Sequence, residues 1–101
     1  MGGERGMAVK IMIPTPLRGY TNKQDCVVVK GASVREVLNG LVMLHPMLKK
    51  HLFSENGDLR NFVNIYVNNE DIRYLQKEQT TLEENDVVSI IPSIAGGRFE
   101  S

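Results

Sequence analysis

The chain has 101 residues, of which 42% are hydrophobic and 24% charged, a balance typical of one small globular domain. Its 12 basic and 12 acidic residues give a formal net charge of zero, which argues against a general nucleic-acid or membrane partner, since such binders carry a basic excess. The single cysteine, Cys26, excludes an internal disulfide and favours a reducing compartment. Because no apolar run reaches membrane-spanning length and the N-terminus lacks a signal-peptide core, we expect a cytoplasmic location.

The first predicted elements are two antiparallel strands. Residues 8–13 alternate around Lys10 and stop at Pro14, and residues 25–30 are rich in β-branched side chains and end at Gly31, as strands do. Proline and glycine mark the region 15–22 between them as a turn. Alternation places three side chains of the second strand on one face, namely Cys26, Val28 and Lys30, and leaves Val27 and Val29 on the other.

A helix follows, and its start is marked by a capping box. The Ser33 hydroxyl can accept a hydrogen bond from the Glu36 amide, while the Glu36 carboxylate reaches back to the Ser33 amide. Behind the box, apolar residues recur at helical spacing on one face: Val34, Val37, Leu38, Leu41 and Val42. Pro46 should end the helix, because the residue before a proline is pushed out of helical geometry. Gly40 inside it would allow close packing.

The second half is predicted to be mostly strands. Residues 47–53 form a short second helix, and 62–67 a clear strand closed by the turn pair Asn68-Asn69. Residues 72–75 are predicted as a short strand, 76–80 as a loop, and 87–91 as a last strand that Pro92 ends. Acidic residues concentrate in this half, and five of them would form an acidic face if the fold brings them together: Glu70, Asp71, Glu83, Glu84 and Asp86.

The order of strands and helix is that of a β-grasp (ubiquitin-like) fold in the α+β class, with a mixed four- to five-stranded sheet and one main helix packed across it. The last strand must pair with the first in the sheet centre, since otherwise both would expose long apolar edges. We expect residues 1–6 to be a disordered leader or a cloning remnant. Residues 7–95 form the β-grasp domain, and residues 96–101 are a flexible C-terminal tail.

No enzyme constellation is visible, so we expect a protein that is not itself a catalyst. His45 and His51 are spaced six apart, which does not suit one helix face, and no cysteine or carboxylate cluster accompanies them. We therefore predict structural histidines and no metal site. Cys26 lies in a β-branched strand without a nearby histidine, and this favours a small core or half-buried residue over a nucleophile.

The diglycine Gly96-Gly97 has two interpretations. A chain end that must enter another enzyme's narrow active site needs extended backbone without a Cβ, which glycine supplies. A terminal glycine carboxylate can then be adenylated and passed to a sulfur or amine nucleophile. The alternative is a frayed tail, where glycine is common. Spacing alone leaves both open.

The combination resembles the ThiS/MoaD family of ubiquitin-like sulfur carrier proteins, and within it the CysO-type carriers of cysteine or homocysteine synthesis. Three stretches carry the resemblance: Ile13-Pro14-Thr15-Pro16-Leu17-Arg18 after the first strand, the run from Arg60 to Arg73 (Arg-Asn-Phe-Val-Asn-Ile-Tyr-Val-Asn-Asn-Glu-Asp-Ile-Arg), and the run from Val88 to Gly97 (Val-Ser-Ile-Ile-Pro-Ser-Ile-Ala-Gly-Gly). It covers about residues 7 to 97.

The resemblance implies a sulfur carrier whose Gly97 is the reactive terminus. A ubiquitin-activating-type enzyme would use ATP to adenylate the Gly97 carboxylate and sulfur would replace an oxygen, giving a thiocarboxylate that an amino-acid sulfhydrylase or synthase consumes. The chain itself would bind no cofactor. Gly96 and Ala95 would be recognised in the tail, and an apolar sheet face would dock the partners. Four residues are candidates for that face: Phe62, Ile65, Tyr66 and Ile90.

One departure from the family pattern concerns residues 98–101, which follow the diglycine. While they remain, Gly97 has only a peptide carbonyl, so the resemblance implies cleavage of the Gly97–Arg98 bond by a JAMM-type zinc protease. Alternatives are the small subunit of a molybdopterin synthase, a thiamin sulfur carrier, a ubiquitin-like protein modifier, and a binding domain with an irrelevant tail.

Overall fold

A computed structural model describes residues 7–61 and 63–92 of the chain. Within these ranges the regular elements are five strands and two α-helices, in the order β1 Met7–Met12, β2 Cys26–Gly31, α1 Val34–Leu44, α2 Lys49–Leu52, β3 Val63–Val67, β4 Glu70–Asp71 and β5 Val87–Pro92. Short 3-10 helices occupy Thr15–Tyr20, Pro46–Leu48, Ile72–Tyr74 and Lys77–Gln79. None of the helices in these ranges is long and apolar enough to cross a bilayer.

The strands form one sheet in the order β2-β1-β5-β3-β4. The first and last strands, β1 and β5, pair in parallel at its centre, and every other pairing is antiparallel. This confirms the predicted central position of β5. It follows from hydrophobicity, because β1 and β5 each bury a full row of branched side chains that an edge position would expose.

Helix α1 packs across the inner face of the sheet through the predicted apolar stripe, in which only Val42 is half-buried rather than buried. The capping box forms with one change of partner. The Ser33 hydroxyl accepts from the Glu36 amide at 3.3 Å, but the Glu36 carboxylate accepts from the Ala32 amide at 2.8 Å. The helix ends at Leu44, before His45 and Pro46 as predicted.

Gly40 lets α1 approach β2 closely, as predicted. A Cβ built on Gly40 would lie 2.6 Å from Cγ1 of Val29, which is well inside carbon–carbon contact distance. The absence of a side chain at this position therefore sets the helix-to-sheet distance.

The predicted strand at residues 72–75 is wrong. Strand β4 is the short segment Glu70–Asp71, and Ile72–Tyr74 is a 3-10 turn. The reason lies in Asp71, whose carboxylate accepts from the Arg73 amide at 2.9 Å. That local hydrogen bond curls the chain away from the extended form, as aspartate side chains commonly do. The predicted loop 76–80 likewise contains the turn Lys77–Gln79.

Candidate functional site

The base of the C-terminal tail is strand β5, which is hydrogen-bonded along both edges. It pairs with β1 from Val87 to Ser89 and with β3 through Pro92, which lies opposite Val63. Ile90 lies opposite Ile65 in this ladder. The residues that lead into the tail are therefore anchored in the centre of the sheet.

Two of the predicted docking residues are core residues instead. Ile65 and Ile90 are 1% and 2% exposed, and they face α1 on the inner side of the sheet. They have no surface to offer a partner, and their contribution is to hold β5 in place. Tyr66 differs, since it alternates with Ile65 and lies half-buried on the opposite side.

The remaining predicted site residues lie outside the described ranges. These are Phe62, Ala95, Gly96, Gly97 and Arg98. The roles given to them from the sequence stay predictions.

Tyr66 belongs to a surface that we call the outer sheet face, the side of the sheet opposite α1. Strand register aligns four side chains in one row across it: Cys26, Met12, Ser89 and Tyr66. Val28 and Ile91 lie in the adjacent rows on either side of it and are 58% and 47% exposed. A shallow depression lies between Tyr66, Asn69, Ser89 and Ile91. The face thus combines exposed apolar and small polar groups beside the strand that leads into the tail.

Sequence reasoning missed Met12, Val28 and Ile91 as members of this surface. The signal for Ile91 was present, because period-two alternation puts Ile91 on the same side as the polar Ser89 and puts Ile90 on the other. The strand order that places β1 between β2 and β5 was not available from the sequence. Without it the three residues could not be assigned to one surface.

The predicted acidic face is found in part, at the end of the sheet far from Pro92. The Asn68 amide group donates to Asp86 at 2.9 Å and accepts from the Val87 amide at 3.0 Å, so the β3–β4 hairpin is joined to the turn before β5. Four carboxylates therefore lie at this end: the exposed Glu70, Glu83 and Glu84, and the half-buried Asp86.

Asp71 does not belong to that group. Its carboxylate is buried and receives hydrogen bonds from the Arg73 guanidinium at 2.6 to 3.1 Å. These side-chain hydrogen bonds, together with the one from the Arg73 amide, hold the pKa of Asp71 below its usual value. The same pairing raises the pKa of Arg73. The pair braces the turn after β4 and leaves no free charge for a ligand.

Neither histidine belongs to a metal-binding cluster within the part of the chain that the structure describes. The ring of His51 stacks on Tyr20 with centroids 4.4 Å apart, and its Nε2 is buried without a partner among the described residues. Burial lowers the pKa of His51, and the nearby Lys50 and Arg60 lower it further. Within residues 7–61 and 63–92, no group of three His, Cys, Asp or Glu side chains is placed to hold a metal ion. Cys26 is half-buried and free, as expected.

A mixed sheet with parallel first and last strands at its centre and one long helix across it defines the ubiquitin-like β-grasp class. The ThiS family model matches residues 11–97, and the chain belongs to the ThiS family. It is 38% identical over 93 residues to the sulfur carrier protein CysO of Mycobacterium tuberculosis, covering 90% of this chain and 100% of that protein.

Solved structures agree with this assignment. The chain is similar, with a TM-score of 0.81 and 37% identity, to a chain in the crystal structure of the BexX/CysO complex of Amycolatopsis orientalis, covering 89% of this chain and 100% of that one. It has the same TM-score at 28% identity to small archaeal modifier protein 1 of Methanosarcina acetivorans, covering 93% of this chain and 100% of that one.

Proposed function

We propose that the chain is a sulfur carrier, and that the residue which carries the sulfur is Gly97. The observation that carries the proposal is the extent of the family match, which ends at Gly97, together with the 38% identity to a CysO sulfur carrier. Removal of the residues after Gly97, by a JAMM-type zinc protease, creates the free carboxylate. Gly96 has no side chain and Ala95 a small one, so the extended tail fits the narrow active sites of the partner enzymes.

The chemistry takes place in the partners' active sites. In an adenylating enzyme of the ubiquitin-activating type, the Gly97 carboxylate attacks the α-phosphate of ATP and releases pyrophosphate. Sulfide then displaces AMP and leaves a thiocarboxylate. A persulfide donor instead displaces AMP to give an acyl disulfide, and attack of a thiol on its S–S bond releases the thiocarboxylate and leaves the donor as a disulfide. A cytoplasmic amino-acid sulfhydrylase or synthase takes this sulfur in the synthesis of cysteine, homocysteine or methionine. The carrier supplies the substrate group and no catalytic residue.

The outer sheet face is the proposed docking surface for these partners. It lies beside β5, so a partner that covers it also receives the tail. Tyr66 and Ile91 offer apolar contact, and Ser89 between them on the same face offers a hydrogen bond. The presence of a CysO chain in a solved complex with BexX supports a carrier that works by docking to other proteins.

Mass spectrometry tests the carrier proposal. The chain is incubated with a cognate zinc protease, then with the adenylating enzyme, ATP and sulfide. We expect trimming to Gly97 and then a mass increase of one sulfur-for-oxygen exchange. Gly97→Ala should lose the product, while Gly19→Ala, whose new methyl group meets no atom within 4 Å, should retain it. A trimmed product ending at another residue would contradict the processing step, and a correctly trimmed chain that gains no sulfur would contradict the carrier function.

A separate experiment tests the docking surface. Ile91→Asp should raise the KM of the adenylating enzyme for the carrier by about tenfold, because it puts a charge in the apolar patch. Leu44→Asp, at a residue of similar exposure on the helix side, is the matched control. Equal KM values for the two variants would refute the assignment of the outer sheet face.

A second candidate function is covalent modification of other proteins, which the similarity to small archaeal modifier protein 1 favours. The same acyl-adenylate would then pass to a lysine amine. Chains with a trimmed Gly97 terminus should appear in cells as isopeptide-linked adducts. Adducts without any detectable thiocarboxylate would favour this function over sulfur transfer.

A further inference from the structure

A groove on the helix side of the molecule lies outside the surface proposed for sulfur transfer. It consists of two adjoining depressions that share Lys49, Phe53 and Gly57, with volumes of about 540 and 450 Å³. Met43 lines one and Met47 the other, and the buried Phe53 ring forms part of the floor. We call this surface the helix-side groove. Each half is within the size range of pockets that take up ligand groups or side chains.

The apolar residues around the groove are far more exposed than folding requires. Met43 and Met47 are 81% and 55% exposed, and they occur within five consecutive positions, at the end of α1 and in the turn after it. The stripe of α1 that faces the sheet is almost completely buried, so these side chains add nothing to the core. Clustered exposed apolar side chains of this kind mark interaction sites, and methionine adapts its shape readily to a partner.

The rim of the groove is basic. Lys49, Lys50 and Arg60 line it, against a single acidic residue, Glu55. The Arg60 Nε donates to the Lys50 carbonyl at 2.8 Å, which fixes the guanidinium at the rim. Two further acidic residues lie near the groove without lining either depression: Asp58, which follows Gly57, and Glu78, which is ion-paired with Arg35 of the groove wall. The chain has no net charge, so the positive rim is a local feature to which an acidic partner is complementary.

We infer that the helix-side groove is a second docking site, which takes an acidic segment of a partner protein that carries aliphatic or aromatic anchor residues. The anchors contact Met43 and Met47 above the buried Phe53 floor, and the carboxylates pair with Lys49, Lys50 and Arg60. A lipid surface fits less well, because the Phe53 floor is recessed and Glu55 interrupts the positive rim.

The site is independent of the outer sheet face, since α1 covers the inner side of the sheet and the groove lies on the solvent side of α1. A partner bound here leaves the outer face and β5 free. The inference therefore goes beyond the proposed sulfur chemistry and does not depend on it. A carrier held in this way could keep its tail available to an enzyme on the other side.

The probes are fluorescein-labelled synthetic peptides in which leucine and phenylalanine recur every three or four residues between aspartates and glutamates, with the spacing varied across a panel. A twin panel has lysine in place of every acid. Binding to the full chain is measured by fluorescence anisotropy, and the site is mapped by amide chemical shifts. We expect at least one acidic peptide to bind, and to shift amides of α2 and of the C-terminal half of α1.

Two variants and one control test the contacts. The double variant Lys49→Glu with Lys50→Glu should weaken binding about tenfold, while Lys10→Glu with Lys30→Glu, at exposed positions on the outer sheet face, should leave it unchanged. The double variant Met43→Ser with Met47→Ser should also weaken binding. This variant tests the apolar contacts independently, so the inference can still be tested if the charge reversal unfolds the chain.

Three results would overturn the inference. The first is the absence of binding by any acidic peptide at millimolar concentration. The second is a set of shifts on the outer sheet face instead of the groove. The third is equal or tighter binding of the lysine twins, or of vesicles of phosphatidylserine and phosphatidylcholine, with the same sensitivity to the lysine substitutions.

Discussion

Replacing Gly40 by alanine sets two effects of known sign against each other. Helix α1 gains about 1 kcal/mol, because alanine has a higher helix propensity than glycine. The new Cβ, however, lies 2.6 Å from Cγ1 of Val29, about 1 Å inside the carbon–carbon contact distance. Val29 is buried in β2 and is β-branched, so it cannot rotate away freely.

We expect the free-energy cost of overpacking to exceed the gain in helix propensity. Extra methyl groups in a packed core typically cost about 1–3 kcal/mol, so the net effect of Gly40→Ala is a loss of about 1 kcal/mol in the free energy of unfolding. For a domain of this size that loss corresponds to a decrease of about 4–8 °C in Tm. Gly19→Ala is the control, because a Cβ at Gly19 meets nothing within 4 Å.

Urea denaturation of a double-mutant cycle tests the cause directly. Val29→Ala removes the clashing methyl groups and is itself destabilising, because it leaves a cavity. In that background Gly40→Ala should stabilise the domain by about 1 kcal/mol, giving a coupling energy of about 1–3 kcal/mol between the two positions. If Gly40→Ala stabilises equally in both backgrounds, the helix-to-sheet contact does not limit this position and the reasoning is refuted.

Three further predictions concern stability. Asn68→Gly should lower the free energy of unfolding, measured by urea denaturation, by about 1–2 kcal/mol. Glycine accepts the backbone angle of φ 50° at this position, but it cannot accept the hydrogen bond from the Val87 amide. An unchanged denaturation midpoint would show that this hydrogen bond does not stabilise the fold. Ile90→Ala should cost about 2–5 kcal/mol and Ile91→Ala less than about 1 kcal/mol, and similar losses at both would contradict the assignment of inner and outer faces. Burial lowers the pKa of His51 below its ordinary value of 6.5, so the His51 ring binds a proton more readily in the unfolded chain than in the folded one. The free energy of unfolding is therefore highest above about pH 6.5, where the ring is neutral in both states, and it falls as the pH drops below that value. Denaturation midpoints of His51→Phe should therefore depend less on pH between pH 7 and 5, and an unchanged dependence would refute the role of His51.

The parts of the fold that local chemistry specifies were predictable. Ser33 and Glu36 mark the start of α1, and the Asn68-Asn69 pair marks a turn in which both residues take positive φ. The central position of β5 was predictable because the strand is too apolar to lie at an exposed edge of the sheet. In each case the signal lies within a few residues or in composition.

The parts that depend on one specific side-chain contact were not predictable. Ile72-Arg73-Tyr74-Leu75 has strand-like composition, and only the hydrogen bonds between Asp71 and Arg73 turn it into a 3-10 helix. The prediction of the candidate site failed for a similar reason. Ile90 was chosen as a surface residue instead of Ile91, and the correct choice needed the direction of each side chain relative to α1. Alternation separates two faces, and the packing of α1 against one of them determines which face is buried.

The position of β5 has a consequence for synthesis on the ribosome. This strand is the last of the described elements to be translated, yet it separates β1 from β3 in the sheet. Until it has left the exit tunnel, β1 and β3 each lack a neighbour and the core lacks Val88 and Ile90, so the sheet cannot close. Because the diglycine follows β5 within a few residues, it has already been translated when β5 emerges, and the domain is completed only after that point. Enzymes that recognise the folded domain together with its tail are thereby kept from engaging an unfinished chain.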